Sequence, residues 1–151
     1  MDETIFVRSL EEQLCFEVYR ASNGFSRMYG RALKPFGLTF PQYLVLLALW
    51  DEDNVFIKNI SDRIGMSIGT MNPILNRLAT QGWIEKVTSD IDKRAVVVTL
   101  TEKSQNEKKA ISKAILNEII NCDMTDINND AFLNGLKALN REFDHLEEDS
   151  E

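Results

Sequence analysis

The sequence predicts a mainly α-helical protein with a small β-hairpin, arranged as a winged helix-turn-helix between flanking helices. Three features of the stretch from Ile57 to Leu100 carry this prediction. Apolar residues recur there at helical spacing, Gly82 follows where a left-handed helix end is expected, and two strand-like segments then enclose a polar turn. Two helices followed by a hairpin are typical of this fold, which commonly reads a DNA groove.

The second helix of this unit should bury one face and expose the other. The apolar face follows an i, i+3, i+4, i+7 pattern and consists of Met71, Ile74, Leu75 and Leu78. The opposite face is small and polar, with an arginine beside it, and consists of Ser67, Thr70, Asn72, Asn76 and Arg77. Pro73, close to the predicted helix start, should cost at most one backbone bond or a slight bend.

The hairpin is predicted from Trp83–Thr88 and Ala95–Leu100, which are joined by a polar turn over residues 89–94. Lys93 and Arg94 near its end suit contact with a minor groove or a phosphate. Asp92 could hold Arg94 by a charge-assisted hydrogen bond, but a solvated charged turn explains the spacing equally well.

Helices are predicted on both sides of this unit. Ser9–Glu12 fits a capping box, and an apolar stripe continues to about Leu33, which predicts a helix of about 25 residues. Thr39–Gln42 forms a second cap before a fully apolar helix over Tyr43–Trp50, which should be buried. Thr101 can cap a helix to about Asn121, and a last helix is expected over residues 129–146.

The chain ends therefore carry more apolar helix than one chain can bury. A two-fold homodimer would cover these helices and place two reading helices roughly 34 Å apart, one turn of DNA. We predict a single domain over residues 1–151, with the winged unit at 57–100 and dimerisation helices at 1–36 and 101–147.

Composition and charge limit the function further. The chain has 151 residues, 44% hydrophobic and 27% charged, as in ordinary globular proteins. Its longest apolar run is too short to cross a membrane, the acidic N-terminus does not fit a signal peptide, and two distant cysteines make no disulfide framework. We expect a cytoplasmic protein with no membrane contact.

The net charge of −7 argues against a general nucleic-acid coat protein. The charge is uneven, however, because residues 55–100 carry six basic and four acidic side chains whereas the segments on either side are both negative. Binding to double-stranded DNA should therefore be weak without sequence-specific contacts.

Enzyme motifs are missing from the sequence. There is no glycine-rich phosphate loop, zinc-protease motif or C-x-x-C pair, and His145 is the single histidine. We expect neither an enzyme nor a metal or cofactor site. A winged helix that binds only protein remains an alternative.

Cys15 lies on the apolar stripe of the first helix, and Cys122 lies near the end of a later one. Inert core thiols are the ordinary interpretation of both. The helix N-terminus would help a thiolate at Cys15, and Tyr19, Tyr29 and Tyr43 are potential phenol donors.

Several motifs resemble the MarR family of regulators, most closely its OhrR-type sensors of organic hydroperoxides. They cover about residues 10–105 and comprise Leu14-Cys15-Phe16, Leu38–Leu47 with its Leu-Thr-Phe-Pro-Gln-Tyr core, Gly69-Thr70, Pro73, Arg77-Leu78, Asp92-Lys93-Arg94 and Leu100-Thr101-Glu102.

The resemblance implies a homodimeric repressor that binds a palindromic operator. An organic hydroperoxide would act as inducer by oxidising Cys15 to a sulfenic acid, and Cys122 of the other subunit would then form a disulfide. Two departures affect this mechanism, because Phe40 replaces a tyrosine of the sensing pocket and Ser67-Ile68 replaces Asp-Ser in the reading helix. The alternatives are a regulator with a silent cysteine that binds a lipophilic or phenolic ligand, and, in another class, a thiol peroxidase.

Overall fold

The computed structural model describes residues 8–92, 95–124 and 130–148, which form six α-helices and three short strands. The helices are α1 (Leu14–Leu33), α2 (Phe40–Asp51), α3 (Ile57–Ile64), α4 (Ile68–Thr80), α5 (Glu102–Asn121) and α6 (Asp130–Glu148). The strands are β1 (Val55–Phe56), β2 (Ile84–Thr88) and β3 (Val96–Leu100).

The three strands form one antiparallel sheet in the order β1-β3-β2. The predicted hairpin is β2 and β3, each one residue shorter at its start than expected. The two-residue strand β1 was not predicted, because two residues are too few to show the alternation that identifies a strand. The Asp53 carboxylate accepts a hydrogen bond from the Leu100 backbone N–H at 2.9 Å and so fixes the chain beside β3.

Helix α2 lies at the centre of the core, as predicted for an apolar helix. The Thr39 hydroxyl accepts from the Gln42 N–H at 3.4 Å, and the Gln42 side-chain oxygen accepts from the Thr39 N–H at 2.9 Å. This capping box satisfies the side-chain oxygen and the backbone N–H of the buried Gln42. Around α2 pack the buried side chains of the winged unit, which include Ile60, Met71, Leu75, Leu78, Trp83, Ile84 and Val98.

The predicted start of the 25-residue N-terminal helix is wrong. Ser9 caps only a short 3-10 turn over Leu10–Glu12, in which the Glu12 carboxylate accepts from the Ser9 N–H at 3.1 Å. Gln13 then adopts an extended backbone conformation, so α1 begins at Leu14. Cys15 therefore lies in the first turn of α1, close to the N-terminus of that helix.

The last two helices follow the predicted order, and Thr101 caps α5 by accepting from the Ser104 N–H at 3.4 Å. Helix α6 contains no buried residue. Within the described ranges no single helix is long and apolar enough to cross a membrane, although the bent pair Leu14–Phe36 and Phe40–Asp51 together reaches that length and hydropathy.

Candidate nucleic-acid interface and thiol sites

The N-terminus of α4 is built by Ser67, the residue that caps it. The Ser67 hydroxyl accepts from the Thr70 N–H at 3.2 Å and lies 3.0 Å from the Thr70 hydroxyl. The cap leaves Ile68 at the helix start with 48% of its surface exposed. This end of α4 therefore presents two hydroxyl groups and one apolar side chain to solvent.

The remaining predicted residues of α4 are also exposed. Asn72, Asn76 and Arg77 lie on the side away from the buried Met71, Leu75 and Leu78. Pro73 is the sixth residue of the helix, further inside than the sequence suggested, where it removes the bond to the Gly69 carbonyl. All six predicted α4 side chains are thus available to a ligand outside the fold.

The turn between β2 and β3 is closed by backbone hydrogen bonds. The Ser89 N–H donates to the Ala95 carbonyl, and the Ala95 N–H donates to the Asp92 carbonyl, both at 2.9 Å. Ile91 projects from the turn and is 99% exposed. Lys93 and Arg94 lie outside the described residues, so their predicted contacts, including the Asp92–Arg94 hydrogen bond, remain predictions.

Two lysines join this surface that the sequence pattern did not identify. Lys86 on β2 donates from Nζ to the Asn76 side-chain oxygen at 2.5 Å. Lys58, exposed in the first turn of α3, lines with Ile68, Asn72 and Asp92 a cleft of about 520 Å³ between the helices and the wing. Their only signal in the sequence was membership of the one positively charged segment.

Three of the four residues predicted for a sensing pocket pack together. The Tyr29 ring stacks on Phe40 at 4.6 Å and on Tyr43 at 5.7 Å between ring centroids. Burial raises the pKa of both tyrosines, and the neighbouring Tyr29 raises that of Tyr43 further. Tyr19 is not part of this cluster, because it lies two-thirds exposed on α1.

Cys15 is exposed, contrary to the ordinary interpretation of a core thiol. Its sulfur makes no hydrogen bond to any described residue. It is also remote from the aromatic cluster of its own chain, since Tyr29 lies 14 residues further along α1, about 21 Å of helix rise. Within one chain the predicted sensing cysteine and sensing pocket are therefore separate.

Cys122 lies at the end of α5 in a charged setting. Arg31 of α1 donates to the Cys122 sulfur at 3.6 Å and to the Glu118 carboxylate at 2.6 Å, and the sulfur lies 3.8 Å from the same carboxylate oxygen. Hydrogen bonding to Glu118, and then to Cys122, raises the Arg31 pKa. The second cysteine therefore has a charged partner on α1, although Arg31 remains more than half exposed and its ion pair is open to solvent.

An apolar cavity of about 190 Å³ lies where α1, α5 and α6 meet. Tyr29 forms part of its wall, and the other lining residues are Phe25, Met28, Ile119, Met124, Phe132, Leu133 and Leu136. Among residues 8–92, 95–124 and 130–148, no three His, Cys, Asp or Glu side chains are placed to hold a metal ion.

Comparison with protein families matches residues 27–111 to the family described as transcriptional regulator SarA/Rot. The regulator MgrA of Staphylococcus aureus is 37% identical over 107 residues, which cover 70% of this chain and 73% of MgrA. The regulator TtmR of Methylorubrum extorquens is 42% identical over 101 residues, which cover 67% of this chain but only about half (52%) of TtmR. Both relatives are described as HTH-type transcriptional regulators.

Among solved structures, reduced AbfR bound to DNA has a TM-score of 0.85 and 33% identity, with 97% of this chain and 99% of that chain covered. Disulfide-formed AbfR has a TM-score of 0.66 and 31% identity, with 89% and 91% covered. AbfR is a protein of Staphylococcus epidermidis. The winged-helix fold predicted from the sequence is thereby confirmed. The narrower OhrR-type assignment stays a prediction.

Proposed function

Because this chain belongs to the SarA/Rot family of transcriptional regulators, we propose that it is a dimeric, DNA-binding repressor whose hold on its operator is controlled by oxidation of Cys15. The exposed polar face of α4 is the observation that carries the proposal. It offers hydroxyl, amide and guanidinium groups on a rigid helix, which is the chemistry that reads base edges in a major groove.

The wing and the neighbouring lysines complete this surface. Lys58 and the two basic residues of the turn, Lys93 and Arg94, would contact phosphates on either side of the groove. Since the whole chain carries a charge of −7, these contacts alone should give weak binding. Specificity would come from contacts to base edges, made by the side chains of α4 and those that lie against them.

A homodimer would account for the exposed apolar residues at the two chain ends. Leu14 and Val18 of α1 are exposed, and so are Phe132, Phe143 and Leu146 of α6. Leu14, Val18 and Phe132 border an apolar groove of about 710 Å³ between these helices. A two-fold axis through this region would bury both faces and pair two copies of α4 on a palindromic operator.

The position of the cysteines supports a disulfide between subunits. Cys122 lies against Arg31, which is 16 residues along α1 from Cys15, about 24 Å of helix. A disulfide requires Cα atoms within about 7 Å, so one chain in this conformation cannot join its own cysteines. AbfR, which is similar over nearly its whole length, has been solved both in reduced form on DNA and with a disulfide formed, which supports redox control by a disulfide.

The proposed chemistry has two steps. The Cys15 thiol attacks the terminal oxygen of an organic hydroperoxide, the O–O bond breaks, and a sulfenic acid and an alcohol form. The Cys122 thiol of the partner subunit then attacks the Cys15 sulfur, which forms the S–S bond and releases water. The disulfide would pull α1 of one subunit towards α5 of the other and change the spacing of the two α4 helices.

A mobility shift tests the proposal, with DNA from upstream of the protein's own coding sequence and cumene hydroperoxide as oxidant. The reduced protein should bind the DNA, and the oxidised protein should release it. Cys15→Ser should bind the DNA both with and without the oxidant. Equal sensitivity of Cys15→Ser would refute redox control through this residue. On non-reducing gels, Cys122→Ser should lack the oxidant-dependent dimer band.

The cavity beside Tyr29 favours a second candidate, a regulator that releases DNA when it binds a lipophilic phenol. A non-oxidising alkylphenol should then release the DNA equally from wild type and Cys15→Ser. Leu136→Trp, which fills the cavity, should abolish that response. If the phenol has no effect on wild type, this candidate fails and the redox mechanism is unaffected.

A further inference from the structure

The contact between Lys86 and Asn76 joins the wing to the candidate reading helix. Lys86 Nζ donates to the Asn76 side-chain oxygen at 2.5 Å, and both residues are exposed. The two residues lie on separate elements, β2 and α4, and only the tertiary fold brings them together. This is the one hydrogen bond among described residues that ends on an α4 side chain from the sheet.

The register of the sheet explains why Lys86 reaches α4. Lys86 lies opposite Val98 on β3, and directly paired residues of antiparallel strands point to the same face. Val98 and Ile84, two residues before Lys86, are both buried, so Lys86 is on the face of the sheet that packs against the helices. Its long stem follows that face and delivers the ammonium group to the exposed side of α4.

The contact fixes which hydrogen-bonding groups Asn76 can offer. An asparagine amide has one acceptor oxygen and an NH₂ group with two donors. With the oxygen engaged by Lys86, the NH₂ group faces away, and the ammonium keeps two further donors. Asparagine reads adenine by donating to N7 and accepting from N6, which needs the oxygen that Lys86 occupies.

We propose that Lys86 and Asn76 act together as a donor-only unit that selects a guanine in the operator through its N7 and O6 acceptors, with Lys86 as a specificity-determining residue. The inference rests on the proposed DNA-binding function. Guanine presents two adjacent acceptors in the major groove, which match an amide NH₂ and an ammonium held side by side.

Selection from a random double-stranded DNA pool by the full chain tests this inference. Wild type should enrich a motif with one guanine per half-site that becomes degenerate in both Lys86→Met and Asn76→Ala, while the other positions persist. The discrimination lost at that position should be about tenfold to a hundredfold. The double variant should lose no more than either single one, because the two residues act as a unit.

The controls separate this inference from its premise. Lys109→Met, an exposed lysine of α5, should leave the motif unchanged. If Lys86→Met keeps the guanine but weakens all sequences equally, with the slope of log affinity against log salt smaller by about 0.9, Lys86 is a phosphate contact and the inference is wrong. If wild type enriches no motif, the DNA-binding proposal itself fails, and this inference fails with it.

Discussion

The winged unit and the helices at the chain ends use apolar residues in opposite ways. In the winged unit, Leu75, Leu78 and Val98 have no exposed surface and Trp83 is 1% exposed. In α6, by contrast, no residue is buried, and Phe143 and Leu146 are more than half exposed. The two regions nevertheless have similar amphipathic sequence patterns.

The difference shows that an apolar stripe identifies a face to be covered but not what covers it. In α4 the stripe meets α2 and the sheet of its own chain. In α6 and the first turns of α1 the stripe meets little of its own chain, as expected for surfaces that a second subunit would cover. The contrast can be tested by substitutions in each region, and a change in the buried core should alter stability most.

Leu75→Ala should have the largest effect on stability. It removes a fully buried side chain from the core around α2, and such changes cost about 2–5 kcal/mol of unfolding free energy. Urea unfolding followed by circular dichroism measures the loss. Leu146→Ala, in the exposed α6, is the matched control and should cost far less. Equal losses from the two variants would contradict the contrast between the regions.

Phe143→Asp should weaken the proposed dimer without unfolding the winged unit. A carboxylate in an apolar interface has no partner, so the dissociation constant should rise at least about tenfold. Sedimentation should then shift from twice the 17.3 kDa chain mass towards the mass of one chain. Glu142→Gln, the neighbouring exposed position, should leave the mass unchanged. A Phe143→Asp protein that stays dimeric would place the interface elsewhere.

Thr101→Ala should have an intermediate effect, because Thr101 lies at the junction of the two regions. Its hydroxyl caps α5 and also donates to the Gly82 carbonyl at 2.6 Å. Loss of such a cap costs about 1 kcal/mol. In thermal unfolding, Thr101→Ser should unfold at a higher temperature than Thr101→Ala, since serine retains the hydroxyl. No difference between them would mean that the hydroxyl contributes nothing.

The tyrosine cluster predicts the smallest effect, which appears only at alkaline pH. The pKa values of Tyr29 and Tyr43 are raised in the folded protein, so between the unfolded value of about 10 and the folded values the unfolded chain binds fewer protons. These two groups should therefore give the free energy of unfolding no pH dependence below about pH 10, and should lower it as the pH rises further. Tyr29→Phe should reduce that fall in urea titrations, and the exposed Tyr19→Phe should not.

Local patterns predicted the elements that depend on neighbours in the chain. The Thr39 and Thr101 caps, the left-handed Gly82 and the stripe of α4 are all present, because capping and helical periodicity act over a few residues. The start of α1 was misplaced, since Ser9 fits a cap equally well before a 3-10 turn. Strand β1 was missed because two residues carry no periodicity and pair only with distant β3.

The candidate sites also contain some features that depend on neighbouring residues and others that depend on distant ones. Helical periodicity was enough to predict which residues of α4 face outwards and that apolar helix is left uncovered at the chain ends. The exposure of Cys15, the contact of Arg31 with Cys122 and the contact of Lys86 with Asn76 depend on how the chain folds, and none of them was predicted. The Lys86–Asn76 contact joins residues 10 positions apart, and the Arg31–Cys122 contact joins residues 91 positions apart. Helix packing and strand register place such residues together, and no local pattern encodes either.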